Sequence, residues 1–311
     1  MAMDKIVVVT RKTRLEGLVE RFNSRAQAKF YLDHSGGDYG DYEREDTTYR
    51  RAVDTVRRSL DLGLKVQVVE RSLVPTMLFG AADVIVPVGQ DGLVANTAKY
   101  VGEQPIVAVN PDPERFDGIL LRYTPAQTRA ALVALLEGKA GERLVTLAEA
   151  ALEDGQRLLA FNDLFIGART HVSARYKIGF GGKSEPHSSS GVLVSTGAGS
   201  TGWLSSVFAM AGAVAQFSGG QAGRALRLDW EDPRLVFVVR EPYVSRHSRA
   251  GIAAGLVEAG SELVLESQMP SGGVIFSDGV EADALDFNSG ARVHIRAAAR
   301  KTHLVVNRPG T

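Results

Sequence analysis

The sequence contains no cysteine, which excludes a disulfide framework, thiolate catalysis and cysteine-ligated zinc. It also lacks an excess of either charge, since 36 Lys and Arg balance 36 Asp and Glu, so no global positive field attracts nucleic acid or anionic lipid. Its six histidines show no paired ligand spacing, and we expect no structural metal. No continuous apolar stretch reaches about 18 residues, and the opening apolar run is too short for a signal-peptide core. These absences predict a soluble, cytoplasmic protein with neither a membrane nor a nucleic-acid partner.

The first 140 residues predict an α/β domain with a parallel sheet. Short β-branched runs such as "KIVVV" (5–9), "DVIVPV" (83–88) and "PIVAVN" (105–110) alternate with segments of helical spacing such as "RRAVDTVRRSLDLG" (50–63). The segment 124–142 predicts a further helix that ends near Gly138. Between them lies a stretch rich in Gly, Asp and Tyr (34–51) that we interpret as a surface loop, either a plain linker or a substrate lid. A chain of 311 residues suits two domains, and we place the boundary after residue 140.

Residues 141–311 predict a second, mostly antiparallel β domain. Strand-like pieces such as "GVLVST" (191–196) dominate it, and one apolar stretch (199–217) predicts a buried helix. The segment "GFGGKS" (179–184) lacks the first glycine of a phosphate-binding P-loop, so we interpret it as a hairpin turn.

A glycine-rich turn follows the strand-like run "DVIVPV" and leads into a helix-like segment. Gly89 and Gly92 flank Asp91 there, at the carboxyl end of a predicted parallel strand, where backbone N–H groups are free to bind phosphate oxygens. A carboxylate among phosphates is costly unless it accepts a proton or helps to hold a cation. Alternatively, Asp91 is only the N-cap of the following helix.

Two further motifs follow in the second predicted domain. "SSSGVLVSTGAGSTGW" (188–203) places glycines and hydroxyls between a strand and the apolar helix, which allows close approach of a flat or phosphorylated ligand. Asn162 and Asp163 interrupt the apolar run "LLAFNDLFIG" (158–167), and an adjacent amide and carboxylate suit the paired hydroxyls of a ribose. Taken alone, this pair favours a β-bulge or a turn over a ribose site.

In this order the motifs resemble those of the NAD kinase family. The family's Gly-Gly-Asp-Gly turn corresponds to "GQDG" (89–92), its Asn-Glu/Asp pair to "ND" (162–163), its Gly-Ser-Thr segment to "STGAGSTGW" (195–203), and its late Asp-Gly to "DG" (278–279). The residues around these motifs are most similar to those of the mitochondrial-type branch of the family. The resemblance implies that the two predicted domains form an NAD kinase-like fold.

The resemblance also implies a reaction and a set of site residues. The terminal phosphoryl group of ATP, with Mg²⁺, would pass to the 2′-hydroxyl of the adenosine ribose of NAD, and Asp91 would be the catalytic residue. A homodimer or larger assembly is the implied oligomeric state. The implied binding residues are Gly89, Gln90, Gly92, Asn162, Asp163, Ser200, Thr201, Gly202 and Asp278. For the Asp-Gly pair at 278–279, a hairpin turn is an equally good local interpretation.

The sequence departs from the family pattern at several positions. Gln90 stands in place of the second glycine and Leu93 in place of a threonine, while Ser188 and Ser190 replace a basic residue and an aspartate. Two alternatives to an NAD kinase therefore stay open. One is a kinase of the same fold that acts on another hydroxyl, such as that of a sugar or lipid headgroup, and the other is a non-catalytic nucleotide-binding protein.

Overall fold

Two units make up the chain in the computed structural model, which describes residues 3–308. The first unit consists of the chain up to Arg143 together with the segment that begins at Thr302, and the second unit is Leu144–Lys301. Each unit has its own buried apolar core.

The first unit is built on a parallel sheet, as the alternating periodicity predicts. Strands β1 (Lys5–Thr10), β2 (Lys65–Glu70) and β3 (Asp83–Pro87) lie in the order β2-β1-β3 and pair in parallel. Every residue of β3 is buried, which fits its continuous apolar run. The predicted strand at 105–110 forms isolated parallel bridges, to β3 at Ile106 among others, rather than a continuous strand.

Three helices connect β1 to β2, where the sequence predicted a loop over residues 34–51. They are α1 (Arg14–Phe22), α2 (Arg25–Ser35) and α3 (Tyr39–Ser59). The loop prediction was wrong because the Gly-Asp pair that suggests a turn instead ends α2 and begins α3. Gly36 ends α2 in the left-handed region at φ 76°, and the Asp38 side chain accepts the N–H of Gly40 as the N-cap of α3.

The remaining helices of the first unit follow the predicted order. Helix α4 (Asp91–Ala98) comes directly after β3, and α5 (Thr128–Leu136) fills the segment that the sequence assigned to a helix ending near Gly138. Gly138 lies in the left-handed region at φ 68°, as expected of a residue just past a helix end.

Two six-stranded sheets form most of the second unit and bury a common apolar core between them. One has the order β11-β10-β9-β6-β13-β14 and the other β5-β4-β15-β12-β7-β8, and the strand pairs with a described register are antiparallel. The strands are β4 (Gly141–Leu152), β5 (Arg157–Ala160), β6 (Asp163–Ala168), β7 (Ala174–Phe180), β8 (Lys183–Ser189), β9 (Val192–Ser195), β10 (Leu235–Val239), β11 (Ala254–Val257), β12 (Leu263–Ser267), β13 (Gly273–Ser277), β14 (Val280–Asp286) and β15 (Arg292–Val306). The predicted turn in "GFGGKS" is the hairpin that joins β7 to β8.

Helix α6 (Trp203–Phe217) forms where the sequence predicted a helix, but it is not buried. Leu204 is its one fully buried residue, whereas Met210, Val214 and Phe217 are 46%, 57% and 94% exposed. The helix packs one side on the sheet beside Leu193 and Val236, and its other side is apolar as well. In the part of the chain that the structure describes, no helix has both the length and the apolar character needed to span a bilayer.

Candidate functional site

The turn after β3 presents Asp91 at the first position of α4. Gln90 is the N-cap residue, yet its side chain makes no capping hydrogen bond, and its carbonyl accepts the N–H of Leu93 at 2.8 Å. Asp91 is therefore inside the helix rather than its N-cap. A Cβ at Gly89 would lie 2.6 Å from Leu93 Cδ2, so a larger residue there would require the Leu93 side chain to move.

The Asp91 carboxylate accepts two backbone hydrogen bonds from a neighbouring loop. Its Oδ2 accepts the N–H of Ile119 at 3.1 Å and its Oδ1 the N–H of Leu120 at 2.9 Å. A carboxylate has about four lone-pair positions, so these bonds orient the group and leave it able to accept more.

In the second unit, Asn162 and Asp163 lie where β5 passes into β6. Asp163 is the first residue of β6 and is 7% exposed. The N–H groups of Phe161, Asn162 and Asp163 all point at the carboxylate of Asp278, at 2.9, 2.6 and 3.3 Å. The Asn-Asp pair and the late Asp-Gly motif, more than a hundred residues apart in the chain, thus form one site.

The Asp-Gly motif also forms the turn of a hairpin, as the local interpretation of these residues predicts. It joins β13 to β14, and Asp278 and Gly279 have φ values of 52° and 69°, as the two central residues of a type I′ turn require. This backbone geometry directs the Asp278 carboxylate at the Phe161–Asp163 segment. The hairpin therefore has a second role in addition to turning the chain.

Asp163 is the titratable group most perturbed by its surroundings in this site. Burial, and secondly the negative charge of Asp278, raise the pKa of the Asp163 carboxyl to about 7. The Asp278 carboxylate accepts three backbone N–H groups, so the two neighbouring carboxyls have different environments.

The glycine-rich segment after β9 packs directly on the Asn-Asp pair. Thr196 donates its hydroxyl to the carbonyl of Phe161 at 2.6 Å, and its N–H to the carbonyl of Asn162 at 2.9 Å. A Cβ on Gly199 would lie 2.1 Å from the Asn162 carbonyl oxygen, and one on Gly197 would lie 1.8 Å from the Asp229 carbonyl oxygen. These glycines therefore allow backbone to approach backbone, in addition to any approach of a ligand.

The predicted adenosine-pocket residues differ in their exposure. Ser200 is buried and donates its hydroxyl to the carbonyl of Gly197 at 2.7 Å, so it holds the turn. Thr201 and Gly202 are exposed and accessible to a ligand. Trp203, the next residue, stacks on Phe165 with a ring separation of 5.7 Å.

Arg240 is a neighbour of the site that no sequence motif indicated. The Arg240 guanidinium lies 5.3 Å from the Trp203 ring centre and 6.0 Å from that of Phe165, and its backbone pairs with Ser190 and Gly191. A cation thus lies over the Trp203 and Phe165 rings, and its backbone pairs with Ser190. A buried aromatic two residues after the Asn-Asp pair was the only indication of this stack.

The structure brings the predicted residues together in two groups. Gly89, Gln90, Asp91 and Gly92 belong to the first unit, and the remaining predicted residues belong to the second. The order of the motifs predicts that both groups meet at a cleft between the two domains, and this stays a prediction. Among residues 3–308 no cluster of three or more His, Asp or Glu side chains is arranged to hold a metal ion.

Two mitochondrial enzymes are similar to this chain in sequence. NAD kinase 2 of Rattus norvegicus and that of Mus musculus are each 30% identical to it over 130 residues, which is 39% of this chain. The match spans 31% and 29% of those relatives' own length. No protein-family model matches the chain.

Solved structures of NAD kinases share its fold. Yeast NADH kinase, complexed with NADH, superposes with a TM-score of 0.57 at 15% identity, covering 99% of this chain and 84% of the kinase. An NAD kinase from Archaeoglobus fulgidus, in complex with ATP, gives a TM-score of 0.55 at 16% identity, covering 97% and 94%. The predicted fold, an α/β domain followed by an antiparallel β domain, is confirmed as that of the NAD kinases.

Proposed function

The chain is related in sequence to the NAD kinase family and has the fold of that family, and from this premise we propose that it is an NAD kinase. It transfers the terminal phosphoryl group of ATP to the 2′-hydroxyl of the adenosine ribose of NAD and so forms NADP. The observation that carries the proposal is the Asp91 carboxylate, oriented by two backbone N–H groups at the start of the helix that follows a parallel strand.

Asp91 acts on the acceptor hydroxyl in this proposal. Its remaining lone pairs accept the hydrogen bond of the ribose 2′-hydroxyl and either take its proton or hold the oxygen in line for attack. General-base assistance is worth roughly 10²–10⁴-fold in rate. Gly89 and Gly92 add no side chain where phosphate oxygens approach, and the α4 N-terminus stabilises the charge of these oxygens.

The second unit supplies the dinucleotide site in this proposal. Asp163, when ionised, accepts hydrogen bonds from ribose hydroxyls, and Asn162 adds an amide. The exposed Thr201 and Gly202 line the adenosine pocket, and the Trp203 indole with Arg240 offers a face on which a base can stack. The buried Ser200 and Asp278 act indirectly, because each holds backbone rather than ligand.

The chain's residues fit a Mg²⁺ ion that arrives with ATP. Magnesium in phosphoryl transfer is held by one or two carboxylates together with substrate phosphates, and Asp91 provides one such carboxylate. When bound, the ion neutralises developing charge on the transferring group. Asp91 and the backbone of its turn then position the acceptor.

A single assay tests the proposal. Purified protein with ATP, Mg²⁺ and NAD should form NADP, and omission of any component should abolish the product. If no NADP forms, a panel of sugar and lipid-headgroup acceptors tests for another kinase of this fold. Isothermal titration with NAD then separates such a kinase from a non-catalytic NAD-binding protein, which the Gln90 substitution favours as the second candidate.

Replacement of Gln90 by glycine should improve the use of ATP. The Gln90 side chain is exposed and makes no capping bond, so its bulk stands beside the N-terminus of α4 without stabilising the helix. We expect Gln90→Gly to lower the KM for ATP about threefold to tenfold, since glycine is also a better N-cap residue. Steady-state kinetics with Gln90→Ala as the control separates loss of the side chain from added backbone freedom. A higher KM in both variants would instead show that the amide binds phosphate.

Helix α6 leads us to propose a homodimer or larger assembly. Its exposed Met210, Val214 and Phe217 form an apolar side that no other part of the unit covers fully. We expect at least a dimeric mass by light scattering at micromolar concentration, and dissociation in the double variant Val214→Asp with Phe217→Asp. Val172→Asp, at another exposed apolar residue, is the control and should not change the mass. A monomeric wild type would contradict the proposal.

A further inference from the structure

Tyr49 of α3 joins the ends of two parallel strands next to the Asp91 turn. Its hydroxyl accepts the backbone N–H of Arg11 at 2.8 Å and donates to the carbonyl of Val88 at 2.9 Å. The side chain is 5% exposed, so water does not substitute for these bonds. We infer that Tyr49 is a positioning residue, which holds the turn that carries Asp91 in its working orientation.

The hydrogen bond from Tyr49 holds the peptide group between Val88 and Gly89 at its carbonyl oxygen. The Val88 carbonyl and the Gly89 N–H belong to the same planar unit, and the Gly89 N–H donates to the Val109 carbonyl at 3.1 Å. The peptide is therefore held from both sides. Since it lies two residues before Asp91, its orientation sets the direction in which the chain enters α4.

The ring of Tyr49 is itself held in place by Arg11. The Arg11 guanidinium lies 4.8 Å from the ring centre, and its Nη2 donates to Oε1 of Glu45 at 2.9 Å. Glu45 and Tyr49 are four residues apart on α3 and share one helix face. Burial raises the pKa of the tyrosine to about 12, so its hydroxyl remains a donor throughout the neutral range.

The inference rests on the proposed function, because it assigns Tyr49 to the turn of the proposed catalytic residue. Tyr49→Phe keeps the ring and removes only the hydroxyl, which leaves the Val88 carbonyl and the Arg11 N–H without this partner. A displacement of about 1 Å at a reacting group can cost roughly 10²-fold in rate. We expect kcat for NADP formation to fall about tenfold, with the KM values for ATP and NAD changed less than about threefold.

Tyr176→Phe is the matched control. Tyr176 is fully buried in the second unit and its hydroxyl contacts Ser189 Oγ at 2.7 Å, so the substitution removes the same atom from a comparable environment. It should lower the free energy of unfolding by a similar amount and leave kcat within about twofold of wild type. If kcat fell by a comparable factor in both variants, general destabilisation would explain the effect of Tyr49→Phe. That result would overturn the inference.

Hydrogen exchange of the turn gives a readout that does not depend on activity. In Tyr49→Phe the backbone amides of residues 88–93 should exchange at least about tenfold faster than in wild type, while in Tyr176→Phe they should not. Unchanged exchange there, or failure of Tyr49→Phe to fold, would overturn the inference, since a positioning residue is dispensable for the fold. A wild-type protein without NADP formation contradicts the proposed function, whereas the exchange rates still decide the role of Tyr49.

Discussion

Asp91→Asn should lower the rate of NADP formation by at least about 10²-fold. Asparagine has a similar shape but cannot take a proton from the ribose hydroxyl or carry the charge that orients it. The structure adds a cost in stability, because one amide oxygen cannot replace two carboxylate oxygens toward Ile119 and Leu120. We expect the free energy of unfolding to fall by about 1–3 kcal/mol.

A control must separate these two effects of Asp91→Asn. Gly118→Ala strains the same loop, because Gly118 has φ 60° and an added Cβ would lie 2.7 Å from Asn110 Nδ2, yet it leaves the Asp91 carboxylate intact. We expect this variant to lose less than about tenfold in kcat. Initial rates with saturating ATP and NAD, set beside urea unfolding of both variants, make the comparison. Equal rates for the two variants would remove the catalytic assignment of Asp91.

Asp163→Asn should stabilise the protein above neutral pH while weakening NAD binding. Because the folded-state pKa of Asp163 is raised to about 7 from an ordinary value of 3.8, the folded protein binds the proton more tightly than the unfolded chain does. The free energy of unfolding of the wild type therefore falls as the pH rises from about 4 to about 7, by at most about 4 kcal/mol. Asparagine does not ionise and avoids this loss.

Unfolding in urea at pH 5 and pH 8 measures the effect. The gain of Asp163→Asn over wild type should be larger at pH 8 than at pH 5, whereas Asp286→Asn, at an exposed aspartate of the same unit, should show no such difference. Hydrogen bonds to a charged acceptor contribute more than those to a neutral one, so the NAD affinity of Asp163→Asn should fall about tenfold. An unchanged NAD affinity in Asp163→Asn would show that the ribose hydroxyls do not bind to Asp163.

NAD affinity of the wild type should also depend on pH through the same group. Asp163 accepts ribose hydroxyls best when ionised, so the affinity should rise as the pH increases through about 7. Titration calorimetry at pH 6 and pH 8 measures this change, and Asp163→Asn should lack it.

Much of the fold follows from local patterns in the sequence. The β-branched runs with helical segments between them predict the parallel sheet, and the Asp-Gly pair at 278–279 predicts its hairpin. Each of these patterns is formed by residues that lie close together in the sequence. The first half of the helix over 39–59, which the sequence analysis assigned to a loop, was missed for the opposite reason. Its Gly and Asp residues suggest a loop, while the burial of Tyr49, Ala52 and Val56 against the sheet stabilises a helix.

The sequence by itself determined which residues can do chemistry and in which order they come. Gly89 to Gly92, the Asn162–Asp163 pair, the 195–203 segment and Asp278 are recognisable because their residue types are rare within apolar strands. Only the tertiary structure decided how these residues are held and charged. The contacts of Asp278 with residues 161–163 and of Tyr49 with Val88 join distant parts of the chain, and the burial that raises the pKa of Asp163 exists only once the sheets have packed. Such contacts leave no local pattern, because each partner alone is an ordinary residue on its own strand, helix or turn.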